Sequence, residues 1–416
     1  MFAVLRQRNF ALLWFGGFVS NLGDWVLFVG LPFEIFRMTH STLATGGMVL
    51  SFLIPSILLG SVAGVFVDRW DRQRLMVVVN LLQAASILPL LFVGQLGLWI
   101  VYAVLVTESS ISQLFNPAQT ALVPNLLAGG KDELVTANAL TGVSQHAARL
   151  IGPAIGGAIV AAGGLGAVAA IDSASFVFSA GMIALISARP SLQRASDSLE
   201  HAAVSAWRRV VREWRDGLRV IQRAPVLRAL LTFSVITSIG EGLTLTLFVV
   251  WVLQALHWDA AGYGWVLSTQ AIGGLAGALV IARLGSRVRA LPLLIGGALA
   301  FGGIDLVLFT YPAVYPVIWP ALVMLVIVGV PGAAMGAART TLLQSETADS
   351  HRGRVAGAMG AVGGLGALVG ASVAGVLGQV APVIALMVVQ GSGYLIAGTA
   401  VWLMVRRGSP IVAEPG

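Results

Sequence analysis

Cysteine is absent from the 416 residues. Its absence excludes disulfides, thiolate metal sites and a cysteine nucleophile. Charge is nearly as scarce. Asp, Glu, Lys and Arg make up 10% of the chain, against roughly 25% in a soluble domain, and so few charges cannot coat a globule of this size. Lysine occurs once, as Lys131, so arginine carries almost all the positive charge. No G-x-x-x-x-G-K-[ST] phosphate loop and no H-E-x-x-H pair occurs, which removes the sequence signals for an ATP-driven pump and a zinc hydrolase. What the chain has is glycine, 50 residues. That exceeds the usual ~7%, without a G-X-Y period or a proline-rich run, so neither collagen nor disorder accounts for it. With 57% hydrophobic residues, the composition reads as a chain whose solvent is mostly lipid.

A helix needs about 20 mainly apolar residues to cross the ~30 Å hydrocarbon core. Twelve windows qualify, at roughly 10–36, 42–67, 75–94, 97–123, 136–162, 165–188, 228–255, 260–283, 291–310, 315–343, 355–379 and 381–405. Their lengths and lack of alternation predict helices, not barrel strands. With the N-terminus inside, 22 of the 25 Lys and Arg fall in cytoplasmic segments. Only Arg37 falls outside, while Arg149 and Arg339 lie within spans. The asymmetry predicts cytoplasmic termini. The net charge of +7 then reflects membrane orientation, and no nucleic-acid partner is expected. The predicted fold class is an all-α polytopic membrane protein, with twelve transmembrane helices in two six-helix bundles.

The longest polar stretch, 189–225, follows the sixth span. It divides the chain into an N-terminal bundle (1–188), a cytoplasmic linker (189–227) and a C-terminal bundle (228–416). Within the linker Val204, Trp207, Val211, Trp214, Leu218 and Ile221 recur at helical steps, and Arg208, Arg209, Arg212, Arg215 and Arg219 fill the other faces. This pattern predicts a basic amphipathic helix lying on the inner leaflet.

Two motifs bear on family. Between spans 2 and 3 stands GVFVDRWDRQR, residues 64–74. Gly64, Asp68, Arg69 and Arg72 resemble the loop signature G-x-x-x-D-R-x-G-R-(R/K) of the major facilitator superfamily, with Asp71 in place of the second Gly and the next basic residue displaced to Arg74. Span 5 holds Gly152, Pro153, Gly156 and Gly157 in GPAIGG, which resembles the G-P-x-x-G-G motif of facilitator antiporters. Proline bends a helix and small residues allow tight packing. Further stretches, LGD at 22–24, FNPA at 115–118 followed by ALVP at 121–124, ELVTANAL at 133–140 and RGRV at 352–355, look like the prokaryotic drug-antiporter subgroup that includes macrolide-efflux and enterobactin-export proteins. The resemblance covers nearly the whole chain. It implies proton-coupled export without fixing the substrate. The leading expectation is a secondary active exporter of amphipathic small molecules, drug or siderophore-like, in the bacterial cytoplasmic membrane, a monomer with protons and membrane lipids as partners and no cofactor. The same fold also serves lysophospholipid or nutrient facilitators, and a non-transporting receptor is a third reading. One departure stands out. Span 4 carries Glu108 and lacks the Arg that many drug antiporters place there.

Ionisable residues inside spans are costly and therefore mark candidate function. Asp24, Glu108, Arg149 and Glu241 fall near the middle of spans 1, 4, 5 and 7, whereas Asp172 and Asp305 fall in the outer half. Polar residues recur on narrow faces: Gly17, Ser20 and Asp24; Glu108, Ser112, Asn116 and Gln119; Asn138, Gly142, Gln145, Arg149, Gly152 and Gly156; Ser234, Ser238 and Glu241. Such faces should point into the bundle. The expectation is that Asp24 leads proton coupling, with Glu108 or Glu241 second and Arg149 as electrostatic partner. Trp25, Phe28, Asn116, Phe248 and Trp251 are the expected substrate-cavity residues.

Overall fold

The computed structural model describes residues 2–60, 63, 67, 70–127, 131–187 and 199–408, the side chains of residues 2–3, 131, 199–209, 286 and 407–408 aside. These residues are almost wholly helical, with no strand among them. In chain order the helices are α1 (Arg8–Thr39), α2 (Thr42–Gly60), α3 (Arg72–Leu96, with a 3-10 turn over Leu88–Phe92), α4 (Trp99–Ser112), α5 (Phe115–Leu126), α6 (Lys131–Ala184) and α7 (Leu199–Arg223). Then come α8 (Pro225–Gln254), α9 (Ala260–Leu284), α10 (Ala290–Thr310), α11 (Ile318–Ser345), α12 (Arg352–Leu377) and α13 (Val383–Gly408). Among the described residues, ten helices are long and apolar enough to cross a membrane.

Two departures from straight helix explain how ten relates to the twelve apolar windows. At about 1.5 Å per residue, the 54 residues of α6 would reach about 80 Å, far more than one crossing needs. Gly164 divides it, with φ 59° and ψ −158°. That backbone is open to glycine because it lacks a Cβ. The apolar window 97–123 is likewise cut into α4 and α5 at Gln113–Leu114. Pro117 stands four residues after Gln113, where its ring clashes with the Gln113 carbonyl and cannot donate to it.

The chain clusters into two compact units. One comprises Met1–His40, Gly47–Arg208 and Asp259–Ser268, the other Ser41–Gly46, Arg209–Trp258 and Thr269–Gly416. In the first unit α1 packs chiefly on α6, and α3 on α6 and α5. Phe10, Leu13, Met76, Leu122, Leu140 and Ile183 form a buried cluster among them. In the second, α8 packs on α12 and α13, and α10 on α11 and α13. The outward faces are apolar: Leu81, Leu82, Phe92, Val177, Phe178, Val323 and Ile396 are all exposed, as lipid contact requires and as water would penalise. In lipid a leucine gains little by moving from acyl chains to a helix interface, so association rests on close fit. Glycines supply that fit. A Cβ on Gly370 would lie 2.0 Å from the Ile239 carbonyl oxygen, and one on Gly242 would lie 2.1 Å from that of Ala367, so α8 and α12 meet backbone to backbone.

The linker helix has one face seated on protein. In the second half of α7, Val210, Gly217 and Ile221 are buried. A Cβ on Gly217 would lie 2.3 Å from the Arg354 carbonyl oxygen. This face runs along 210, 217 and 221, with Val211 and Leu218 only half-buried, so the helix is rotated from the apolar stripe in the sequence. The periodicity was right for a helix, but glycine scores as neutral in an apolar pattern and here makes the closest contact. The side chains of Val204, Trp207, Arg208 and Arg209 lie outside the described residues.

Candidate functional site

The polar faces of the first unit converge. Gly17, Ser20 and Asp24 of α1, Ser112 of α4, Asn116 and Gln119 of α5, and Gln145 of α6 line one cavity of about 100 Å³, joined by Gln83 of α3. Asp24 is exposed to this cavity although it sits in the middle of α1. Behind it lie two further acids. Glu108 is buried and its Oε1 accepts from Gln83 Nε2 at 3.0 Å. Asp172, on the second limb of α6, is fully buried, and its Oδ2 has no hydrogen-bond partner among the described residues. Its Oδ1 is 3.5 Å from Ser175 Oγ. Gln83, which lines the cavity with Asp24, bonds Glu108, and Asp172 lies against Gly23, the residue before Asp24. Gly23 permits this. A Cβ there would lie 2.5 Å from Asp172 Oδ1 and 2.2 Å from Ser175 Oγ, so only a bare backbone brings α1 against the limb that carries Asp172.

Arg149 does not join this cluster. It is exposed, one turn beyond Gln145, and makes no ion pair or hydrogen bond among the described residues. Among the described residues, then, Arg149 pairs with none of the three acids. The motif after Arg149 has a packing role in the same unit. A Cβ on Gly152 would lie 2.5 Å from Trp25 Cβ, and one on Gly156 would lie 3.0 Å from Val26 Cα. On the other side, a Cβ on Gly157 would lie 2.4 Å from the Ala260 carbonyl oxygen.

The second unit holds its own polar layer. Glu241 is exposed and accepts from the Tyr394 hydroxyl. Asp305 is buried and its Oδ2 accepts from Gln390 Nε2 at 3.1 Å. Asp24 and Glu241 each stand seventeenth in their helices. Behind Asp24, α3 gives the amide Gln83, α4 the acid Glu108 and α6 the acid Asp172. In the second unit the acid Asp305 is on α10 and the amide Gln390 on α13. Tyr394→Phe keeps the ring against Phe301, whose centroid is 4.4 Å away, and removes only the hydroxyl. Loss of a hydrogen bond to a charged group costs about 1.5–3 kcal/mol, which thermal unfolding of the purified protein should register. An unchanged midpoint would mean the Glu241 contact contributes nothing to stability.

Of the aromatic residues expected at a substrate cavity, Trp25 and Phe28 are half-buried and form an edge-on pair at 5.1 Å. Phe248 and Trp251 are placed differently. Trp251 is fully buried and Phe248 nearly so. Their rings stack at 5.7 Å, Trp251 meets Phe309 edge-on at 5.4 Å, and its Nε1 donates to the Phe309 carbonyl at 3.4 Å. Both residues are core of the second unit and offer no surface to a ligand. Gly64, Asp68 and Arg69 of the loop signature lie outside the described residues. Arg72 donates from Nη1 to the Ala121 carbonyl at 3.1 Å, and Arg74 is exposed. Asp71, the departure from the signature, caps α3 by accepting from the Arg74 N–H at 2.8 Å, the usual use of Asp at this position.

Comparison with known proteins settles the family. The family described as transmembrane secretion effector matches residues 1–409. The chain belongs to this family of major facilitator transporters. It is thus a multi-pass protein of the bacterial inner membrane and a transporter, not an enzyme. It is 26% identical over 416 aligned residues to the enterobactin exporter EntS of Citrobacter koseri, covering 95% of this chain and 91% of that one. It is 25% identical to the multidrug efflux pump Tap of Mycolicibacterium fortuitum, with 99% of each covered. A 28% match to the uncharacterized MFS-type transporter YfiS of Bacillus subtilis spans 56% of this chain and 54% of that protein, about half its length. Among solved structures, the nucleoside transporter NupG superposes with TM-score 0.76 at 13% identity, covering 95% of this chain and 99% of that one. A bacterial homologue of the iron transporter ferroportin, in an inward-facing state, gives 0.74 at 17%, covering 96% and 98%.

Proposed function

We propose that this transporter is a proton-coupled exporter of amphipathic small molecules. The chain would cross the membrane twelve times, α4 with α5 forming one broken crossing and the two limbs of α6 forming two, with both termini in the cytoplasm. The halves 1–188 and 228–416 would alternate in exposing the site to either side, and the loop at 64–74 would bias that exchange.

The observation that carries this reading is the carboxylate of Asp24, open to a polar cavity with two buried acids behind it and no Lys, Arg or His among the described residues that line it. Of the three acids, Asp24 alone lines the cavity, so it is the one placed to exchange a proton with water that enters there. Glu241 is the corresponding acid of the second unit. Export by the 25–26% identical relatives, one named for enterobactin and one for multiple drugs, supports the direction and the amphipathic substrate class.

The test is export of a broad compound panel from cells making the wild type or Asp24→Asn, with and without an uncoupler. The expected result is uncoupler-sensitive export of some compounds by the wild type alone. Equal accumulation in all four arms, for every compound, would remove the exporter reading for that panel. Wild-type transport that survives collapse of the proton gradient would make the protein a facilitator instead.

A further inference from the structure

The linker helix α7 carries a ridge that transport does not require. Arg212, Arg215, Arg219 and Arg223 follow at steps of 3, 4 and 4, one stripe of a helix, and all four are exposed. At 3.6 residues per turn, the stripe lies on the side of α7 away from its seat at Val210, Gly217 and Ile221. The two flanks between seat and ridge differ. Val211 and Leu218 stand on one, and the acids Glu213 and Asp216 on the other. The second half of α7 thus has four sides: seated, apolar, basic and acidic. Its depth is set by its neighbour. A single residue, Ala224, separates α7 from α8, and α8 is long and apolar enough to cross a membrane. The last turn of α7 therefore lies where α8 enters the bilayer, at the level of the lipid head groups.

We propose that this ridge is a docking site for anionic phospholipid of the inner leaflet. With the seat on protein and the apolar flank toward the acyl chains, the acidic flank meets water and the arginines point sideways along the plane of the head groups. Guanidinium groups stay charged and match phosphate oxygens with paired N–H donors. The protein itself uses little of this capacity. Arg219 donates to Asp216 at 3.0 Å with 70% of its side chain still exposed, and Arg212, Arg215 and Arg223 make no ion pair among the described residues. A lipid satisfies the ridge and the apolar flank together, which a soluble polyanion does not. Lipid held there also steadies α12, because the close contact of Gly217 is with the carbonyl of Arg354 in the first turn of that helix. The inference rests on the transporter reading only in naming the leaflet inner; binding itself is tested without transport.

The test places the full chain in nanodiscs of equal parts phosphatidylglycerol and phosphatidylcholine, and native mass spectrometry counts the lipids that stay with the protein on release. The wild type is expected to retain phosphatidylglycerol at least fivefold over phosphatidylcholine. One basic residue near an anionic membrane surface is worth about a factor of five. Arg212→Gln, Arg215→Gln, Arg219→Gln and Arg223→Gln together are therefore expected to bring the ratio near one. Arg212→Lys, Arg215→Lys, Arg219→Lys and Arg223→Lys keep the charge and are expected to keep most of the preference. Arg283→Gln, Arg287→Gln and Arg289→Gln remove exposed charge at the end of α9 and are expected to change nothing. A wild-type ratio near one overturns the proposal without any variant. So does a ratio that survives the four glutamines, or that falls as far with the lysines or with the α9 set. Release of the lipid by inorganic phosphate alone would make the ridge an ion site and overturn lipid docking. Lipid preference in a chain that exports nothing would keep the ridge and remove the exporter; export by a chain without the preference would do the reverse.

Discussion

Asp24→Asn is expected to reduce export driven by a pH gradient at least tenfold, while the protein still inserts and purifies as a single folded species. The substitution is nearly isosteric. Asp24 makes no hydrogen bond or ion pair among the described residues, and its carboxylate faces a cavity rather than packed neighbours, so the fold has little to lose. What disappears is a group able to carry a proton, or a negative charge, at the centre of α1. A tenfold loss corresponds to about 1.4 kcal/mol, modest beside the cost of an uncompensated charge in a low dielectric. Asp24→Glu supplies the complementary arm. It restores the titrating group and is expected to recover part of the activity. Full gradient-driven export by Asp24→Asn would strip Asp24 of its coupling role and move attention to Glu241.

Gly370→Leu is expected to have the largest effect on stability, removing most folded protein from the membrane. Its Cβ would lie 2.0 Å from the Ile239 carbonyl oxygen and 2.9 Å from that carbonyl carbon. Both are backbone atoms of α8, so no rotamer change relieves the contact and the helices must separate. Separation also undoes the reciprocal contact of Gly242 with Ala367. Overpacking costs about 1–3 kcal/mol where side chains can adjust, and this crossing cannot adjust that way. Gly360→Leu on the same helix is the control, since no atom lies within 4 Å of a Cβ there. Size-exclusion profiles of the two variants should separate cleanly. A monodisperse Gly370→Leu peak of wild-type height would mean the helix crossing is looser than described.

The sequence was informative where physics leaves a periodic trace. Asp24 stands out because a charge in an apolar run has no cheap explanation, and the helical spacing of Ser112, Asn116 and Gln119 placed them on one face, which the cavity now gathers. Gln83, Gln390 and Tyr394 left no such trace, since neutral polar residues are tolerated in spans for many reasons. Asp172 was set aside by its depth in the span 165–188, and depth says nothing about which helix lies alongside. Phe248 and Trp251 show the opposite limit: an aromatic that packs a core and one that lines a cavity have the same period. The glycines of α12 show it again. A Cβ on Gly370 would strike α8 and one on Gly360 would meet no described neighbour within 4 Å, and composition alone could not tell them apart.

The exchanged placement of acid and amide behind Asp24 and Glu241 bears on how such a protein changes over generations. If the two halves descend from one duplicated ancestor, Asp172, eight residues after Gly164, falls opposite Gln390, the eighth residue of α13, while Gln83 and Asp305 stand on corresponding helices about one turn apart. Each half still has an acid on its opening helix with a buried acid and an amide behind it, and the first half carries Glu108 in addition. Inheritance in this protein would then act on the contents of a layer more than on the letter at a position, and a search that weighs letters alone would pass over the kinship.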